Sequence, residues 1–274
     1  DKLKRYISNG WISLSTPIWA NFGTDRGLPI SCFGSYIPDN LEGILYSVAE
    51  VGRMSSYGGG TSGYFGAVRS RGSIISSNGV SNGTKPFLEF FQSCSNTISQ
   101  GSVRRGYFSG YIDIDHGDID EWLSIRGEGD PIQHITWGVN VPTWWLTQMR
   151  EGDEDKRQVW AKVIQKRFET GLPYIIFIDN VNNQAVDVYR DKGLKIKASQ
   201  MCTEIFLHSN EDESFVCDLA SMNDLYYDDW KDTDCVEVVT FLLDAVMTEF
   251  IEKASKIRFL ERAVKFAISQ RALG

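Results

Sequence analysis

Short apolar, strand-like runs alternate with segments of helical spacing along this chain, and that alternation limits its fold more than any other feature. Strand-like runs fall at 11–14, around Cys32 as far as Ile37, near 64–69, and at 107–114, 134–141 and 174–178. Two more lie around 203–207 and 215–218. Between them, apolar residues recur every three or four positions. The segment 40–55 carries Leu41, Ile44, Leu45, Val48 and Val51 at that spacing, and 155–170 is amphipathic and stops at Gly171, a residue suited to ending helices. Pro86 suits the first turn of a further helix. Short helices are expected at 119–125 and 142–149, and 236–272 reads as a long helical stretch with one break. Strands separated by helices pair in parallel, so the expected class is α/β with a parallel sheet. The run 174–178 reads as a strand buried on both faces, and the glycine-rich 57–63 as a tight helix-to-strand turn. No repeat, low-complexity tract or linker marks a boundary, so residues 1–274 are expected to form a single domain.

Charge and cysteine usage narrow the function. The chain has 36 acidic and 28 basic residues, a formal net charge of -8. Such a balance lacks the basic face on which nucleic-acid or anionic-membrane binding rests, so neither partner is expected; small phosphorylated ligands need only local donors. No apolar run approaches the roughly 18 residues of a membrane span. With no recognisable signal peptide, the expected setting is the cytoplasm. The five cysteines (Cys32, Cys94, Cys202, Cys217, Cys235) are odd in number, widely spaced and never in a CxxC pair. That speaks against a zinc ribbon and, in a reducing compartment, favours transient catalytic thiol chemistry over structural disulfides.

Several segments carry residues suited to chemistry. Tyr57-Gly58-Gly59-Gly60-Thr61-Ser62-Gly63-Tyr64 would let backbone amides approach an anion, but it is neither a Walker loop nor a GxGxxG fingerprint. Ser99-Gln100-Gly101-Ser102-Val103-Arg104-Arg105-Gly106 pairs flexible backbone with two guanidinium groups. Cys202 lies in Lys197-Ala198-Ser199-Gln200-Met201-Cys202-Thr203-Glu204-Ile205; in an extended strand, Cys202 and Glu204 would share a face, as a thiol with an acid/base partner requires. Cys94, beside Phe90 and Phe91, and Cys235 read as buried structural thiols. The three histidines have no ligand-like spacing, and Asp113, Asp115 and His116 read as a polar loop, so no metal site is expected. Trp144-Trp145 reads as core or packing surface.

Taken together, these motifs resemble the catalytic (large, alpha) subunit of ribonucleotide reductase, in particular that of class I. The resemblance rests on Ile12-Ser13-Leu14-Ser15-Thr16-Pro17-Ile18, Ile30-Ser31-Cys32, Ser99-Gln100-Gly101, Ser199-Gln200-Met201-Cys202-Thr203-Glu204 and Val216-Cys217-Asp218-Leu219-Ala220-Ser221, in that order. It implies the first half of a ten-stranded α/β barrel with parallel strands, incomplete without a second chain or segment. It implies reduction of ribonucleotides to deoxyribonucleotides by thiyl radical chemistry. Cys202 then matches the thiyl residue, Glu204 the carboxylate that takes the 3′-hydroxyl proton, and Cys32 with Cys217 the pair that ends as a disulfide. Thr16, Ser31, Cys32 and Gly60 match substrate contacts, as do Ser199, Gln200, Met201, Cys202, Thr203 and Glu204. Gln200 stands where many members have Asn and is counted with the catalytic residues. Asp39, Arg69 and Arg104 match the site where a deoxynucleoside triphosphate or ATP acts as effector.

The resemblance also implies partners. No cofactor is expected on the chain itself. The radical would come from a metal-containing small subunit, with adenosylcobalamin as the alternative, and a thioredoxin- or glutaredoxin-type reductant would restore the dithiol. The family's substrate-phosphate loop, paired tyrosines and C-terminal cysteine pair have no match here. The chain is therefore expected to work in a hetero-oligomer, as one part of a split large subunit or as a truncation of a whole one. The alternatives in function are a catalytically idle nucleotide-binding or regulatory fragment, and a thiyl-radical relative acting on another substrate.

Overall fold

The computed structural model describes residues 1–75, 79–98 and 106–274. In chain order, α1 (Lys2–Ser8), β1 (Ile12–Leu14) and α2 (Thr16–Asn21) lead into β2 (Cys32–Tyr36). There follow α3 (Leu41–Ser56), β3 (Gly60–Tyr64), α4 (Lys85–Ile98), β4 (Tyr107–Asp113), α5 (Ile119–Trp122) and β5 (Thr136–Asn140). Next come α6 (Thr143–Glu151), α7 (Glu154–Thr170), β6 (Tyr174–Ile176), α8 (Ile178–Asn183) and α9 (Asp187–Asp191). The chain continues through β7 (Ile196–Ser199), β8 (Phe206–His208), β9 (Phe215–Cys217) and β10 (Ala220–Met222) to α10 (Tyr227–Trp230), α11 (Cys235–Ala254) and α12 (Glu261–Gln270).

The main sheet has the order β6-β5-β4-β3-β2-β9. β2 to β6 run parallel, as the strand–helix alternation predicts, and β9 closes the row antiparallel to β2. The helices start and stop on local signals. Asn40 caps α3 by accepting from Gly43 N at 2.7 Å, Asp153 caps α7 by accepting from Lys156 N at 3.0 Å, and Gly171 ends α7 at φ 75°.

Period-two alternation divides the sheet into two working faces. Phe108 and Ile112 of β4 point into a core with Phe65, Phe91, Trp122 and Trp137 beneath the helices. Tyr111, one residue out of phase, packs on the opposite face with Tyr64, Ile176 and Ala198. A second core joins β2 and β9 to α11 and α12 through Phe33, Phe215, Val246, Phe250 and Phe266.

Three expectations need correction. The glycine run is not only a turn: Gly60 to Tyr64 is strand β3, buried throughout, and 64–69 is not a strand. Glycine fits there because a Cβ at Gly63 would lie 2.9 Å from the Phe108 ring. The strand at 174–178 is shorter and only partly buried, since β6 is an edge with one neighbour. At 203–207 the strand begins only at Phe206; the residues before it form a turn.

The antiparallel joint depends on Gly34. A Cβ at that position would lie 2.0 Å from Phe215 Cζ, because the Phe215 ring lies directly over the glycine. Gly34→Ala should therefore destabilise the fold by about 1–3 kcal/mol through overpacking. Urea unfolding tests this: the midpoint should fall at constant slope, and an unchanged midpoint would mean that the ring swings aside freely.

Candidate active site

Cys32 opens β2 and Cys217 closes β9, and the antiparallel register sets them directly opposite each other. Residues so paired have Cα atoms about 4.5–5.5 Å apart, within the span a disulfide needs. Both are buried. Cys32 Sγ lies 3.5 Å from Ser31 Oγ, and the Cys217 thiol donates to Asp218 O at 3.2 Å. Burial above all pushes the Cys217 thiol well up from its ordinary pKa, with the nearby Cys32, Asp218 and Glu204 adding to the effect. Cys217 is thus held as a thiol, within electrostatic reach of Cys32 and Glu204.

On the other flank of Cys32 stands Gly60, its parallel partner in β3, whose N–H donates to Ser31 O at 2.9 Å. A Cβ on Gly60 would lie 3.1 Å from the Met201 methyl, so the turn carrying Cys202 comes down on this glycine. That turn is held from several sides. Ser62 donates to Ser199 O at 2.8 Å and Tyr111 to Gln200 O at 2.6 Å, while Tyr111 Oη also lies 3.1 Å from Thr203 Oγ1. The Gln200 side-chain oxygen accepts from Glu204 N at 3.0 Å and Ile205 N at 3.1 Å. Its Nε2 is buried without a hydrogen-bond partner. Cys202 and Glu204 are left exposed at the tip.

The expectation that Cys202 and Glu204 share the face of a strand is therefore not met. Thr203 between them has φ 63°, a left-handed conformation that breaks strand alternation. They meet on one turn, shaped by the Gln200 amide and not by β-pleating. Thr16 begins α2 and is exposed; its neighbour Ser15 donates N–H to Leu219 O at 3.3 Å, which ties this end of β1 to the chain two residues past Cys217. Ser31, Cys32, Gly60 and the 199–204 segment are thus gathered at the amino ends of β2 and β3.

Asp39 and Arg69 come together at the other, carboxyl ends of those strands. Arg69 Nε lies 2.8 Å from Asp39 Oδ2, and Arg69 N–H donates to Asp39 Oδ1 at 3.0 Å. Arg104 and the motif Ser99-Gln100-Gly101 lie outside the described residues. Cys235 is buried, and Cys94 is half-buried with its sulfur 3.7 Å from Val48 O. His116 Nε2 lies 2.7 Å from Val68 O. Trp145 is in the core, whereas Trp144 is exposed.

Sequence reasoning did not single out Ser62, Tyr111, Glu50 or Asp218. Ser62 and Tyr111 reach the turn from 137 and 89 residues away, and nothing local announces such contacts. Glu50 and Asp218 are fully buried carboxyls; one sits in a helical pattern and the other in a motif read for its cysteine.

Comparison with known proteins identifies the family. The profile of the ribonucleotide reductase barrel domain matches residues 30–156 and 147–259. A ribonucleoside-diphosphate reductase large subunit of Invertebrate iridescent virus 6 is 31% identical over 73% of this chain and 23% of its own length. That of Invertebrate iridescent virus 3 is 28% identical over 100% of this chain and 54% of its own. The solved structure of the Actinobacillus ureae class Id ribonucleotide reductase alpha subunit superposes with a TM-score of 0.95 at 55% identity, over 100% of this chain and 51% of that one. The chain belongs to the ribonucleotide reductase barrel family and aligns with its large subunits. It spans about half the length of relatives that it matches from end to end.

Asp218 gives the site a pH signature. Burial, the main cause, pushes its carboxyl up to about 7, and neither oxygen has a hydrogen-bond partner. A folded-state pKa raised above the unfolded value gives stability that is complete below about pH 4 and lost as pH rises through 7. Asp218→Asn should flatten that part of the stability–pH curve. Unfolding midpoints between pH 4 and 8 would show it, and parallel curves for the two proteins would contradict it.

Proposed function

We propose that this chain forms part of a ribonucleotide reductase large subunit and carries its thiol chemistry. The observation that carries the reading is the pairing of Cys32 with Cys217 across β2 and β9, beside a fixed turn that presents Cys202 and Glu204. In this reading Cys202, as a thiyl radical, takes the hydrogen from C3′ of a ribonucleotide and returns it at the end. Glu204 accepts the 3′-hydroxyl proton. Cys32 protonates the departing 2′-hydroxyl, which leaves as water. Cys32 and Cys217 together give up two electrons and two protons and form a disulfide, while C2′ gains a hydrogen in place of its hydroxyl. A raised thiol pKa suits this, since a hydrogen donor must remain protonated until it reacts.

Thr16, Ser31, Gly60 and residues 199–204 are proposed to line the substrate pocket, with Gln200 Nε2, buried and without a partner, available to a ribose hydroxyl. Asp39, Arg69 and Arg104 are assigned to an effector nucleotide, a deoxynucleoside triphosphate or ATP. A metal-containing small subunit supplies the oxidising equivalent that makes the Cys202 radical. The relatives named above are reductases of ribonucleoside diphosphates, and that substrate class is proposed here. A further polypeptide or segment completes the barrel, and a thioredoxin- or glutaredoxin-type dithiol restores the pair. Residues 1–274 are read as one domain, acting in the cytoplasm; no helix of the described residues is long and apolar enough to cross a membrane.

The test is turnover by the intact large subunit with its small subunit, a dithiol, one ribonucleoside diphosphate and an effector. Cys202→Ser should lower kcat at least a thousandfold with nucleotide binding unchanged; retained turnover would remove Cys202 as the radical site. After one turnover without reductant, peptide mapping should find Cys32 linked to Cys217. Recovery of both as separate thiols after product has formed would dismiss the redox pair.

A further inference from the structure

The register that pairs Cys32 with Cys217 also pairs Phe33 with Val216 and Gly34 with Phe215. One rung further along, Ser35 of β2 would face Ser214, just before β9, but the ladder does not continue as backbone. Ser35 and Ser214 would form a non-hydrogen-bonded rung, and at the hydrogen-bonded rung after it Glu213 gives its N–H to Asn210 O at 3.4 Å instead of to β2. The two strands are joined there by a side chain from α3. Glu50 Oε2 accepts from Ser35 Oγ at 2.8 Å and from Ser214 Oγ at 2.7 Å. Three residues along a strand reverse the face, so these serines point away from the thiols and toward α3.

Glu50 is 0% exposed, and its Oε1 has no hydrogen-bond partner. The charges around it are few. Arg262 of α12 acts on it but gives its Nη1–H to Ser47 at 3.2 Å, and Glu261 accepts from Tyr46 at 2.5 Å. Burial pushes the Glu50 carboxyl up to about 7, which marks an unfavourable place for a charge. An apolar side chain would fill this space without that desolvation cost. What a carboxylate adds is one acceptor atom shared by two strands.

We infer that Glu50 is a positioning residue for the Cys32–Cys217 pair: it clamps β2 to β9 where their backbone ladder ends, and so sets the balance between dithiol and disulfide. The inference rests on the redox reading above. Disulfide geometry tolerates little drift of the two Cα atoms. A clamp three residues from the thiols keeps that separation as the sulfurs join and part.

The test uses the intact large subunit in glutathione buffers, without nucleotide or small subunit. The dithiol gives two electrons to glutathione disulfide, so one protein disulfide and two glutathione thiols form. After alkylation, mass spectrometry reads the fraction of Cys32–Cys217 linkage. Glu50→Ala should lower the equilibrium constant for protein disulfide formation about tenfold, near 30 mV for a two-electron couple. Glu50→Gln, which keeps an acceptor oxygen, should stay within about threefold of the unaltered protein. The Ser35→Ala/Ser214→Ala double variant should match Glu50→Ala, and adding Glu50→Ala to it should change little further, since all three act through one contact. If Glu50→Ala fails to fold, the serine variant decides.

A constant within twofold of the unaltered protein, in a folded Glu50→Ala or serine variant, would overturn the clamp. Absence of the linkage in the unaltered protein would instead overturn the redox pair. Amide exchange at residues 32–34 and 215–217 then decides the clamp by itself. Exchange faster in Glu50→Ala than in Tyr46→Phe, which cuts a contact on the same helix outside the clamp, supports it; equal exchange refutes it.

Discussion

The antiparallel seam between β2 and β9 is the constraint on which the rest of the structure depends. Five parallel strands joined through helices can stack with considerable freedom in what faces what. The seam removes that freedom, because its register alone brings together two residues 185 positions apart in sequence, Cys32 and Cys217. A slip of one residue would turn Cys217 toward the helices and Val216 toward the site. Three features guard against it: the Phe215 ring seated on Gly34, the core of Phe33, Phe250 and Phe266 behind the strands, and the Glu50 carboxyl at the end of the ladder.

The turn from Ser199 to Ile205 solves a different problem. A side chain that must act on a ligand has to be exposed, yet a loop with exposed ends wanders. Here the tip is exposed while its frame is buried: Ser199 and Gln200 are 0% accessible, and Cys202 and Glu204 project from them. The frame is cross-linked by hydroxyl and amide groups from β3, β4 and the turn itself, so its position is inherited from the sheet. Gln200 is central because its oxygen binds two backbone amides of the turn while its nitrogen stays uncommitted.

Much of the fold was legible in the sequence because it follows from local rules. The stop at Gly171 and the alternation of strand and helix lie within a few residues of what they control. The glycine run misled, because glycine usually marks turns; at Gly60 and Gly63 it marks a strand whose neighbours approach too closely for a side chain. The family resemblance grouped Thr16, Ser31, Cys32, Gly60 and 199–204, and of these Ser31, Cys32, Gly60 and 199–204 lie at one end of β2 and β3. Cys202 and Glu204 share a turn at Thr203 instead of a strand face, because the left-handed Thr203 backbone breaks the alternation that the sequence pattern suggests. The supports of the site stayed invisible, since Ser62, Tyr111 and Glu50 act through contacts that span the chain, and no periodicity encodes those.

The proposed chemistry places opposite demands on its thiols, and the burial pattern separates them. Cys202 has to reach a substrate carbon, and it is exposed. Cys32 and Cys217 have to surrender hydrogen only after that event, and they are 8% and 1% accessible. Burial keeps Cys217 protonated, which protects it from premature exchange, because the thiolate is the reactive form. The same burial hinders the reverse step. Thiol–disulfide exchange needs an attacking thiolate to approach one sulfur along the S–S axis, and burial of both sulfurs narrows that approach.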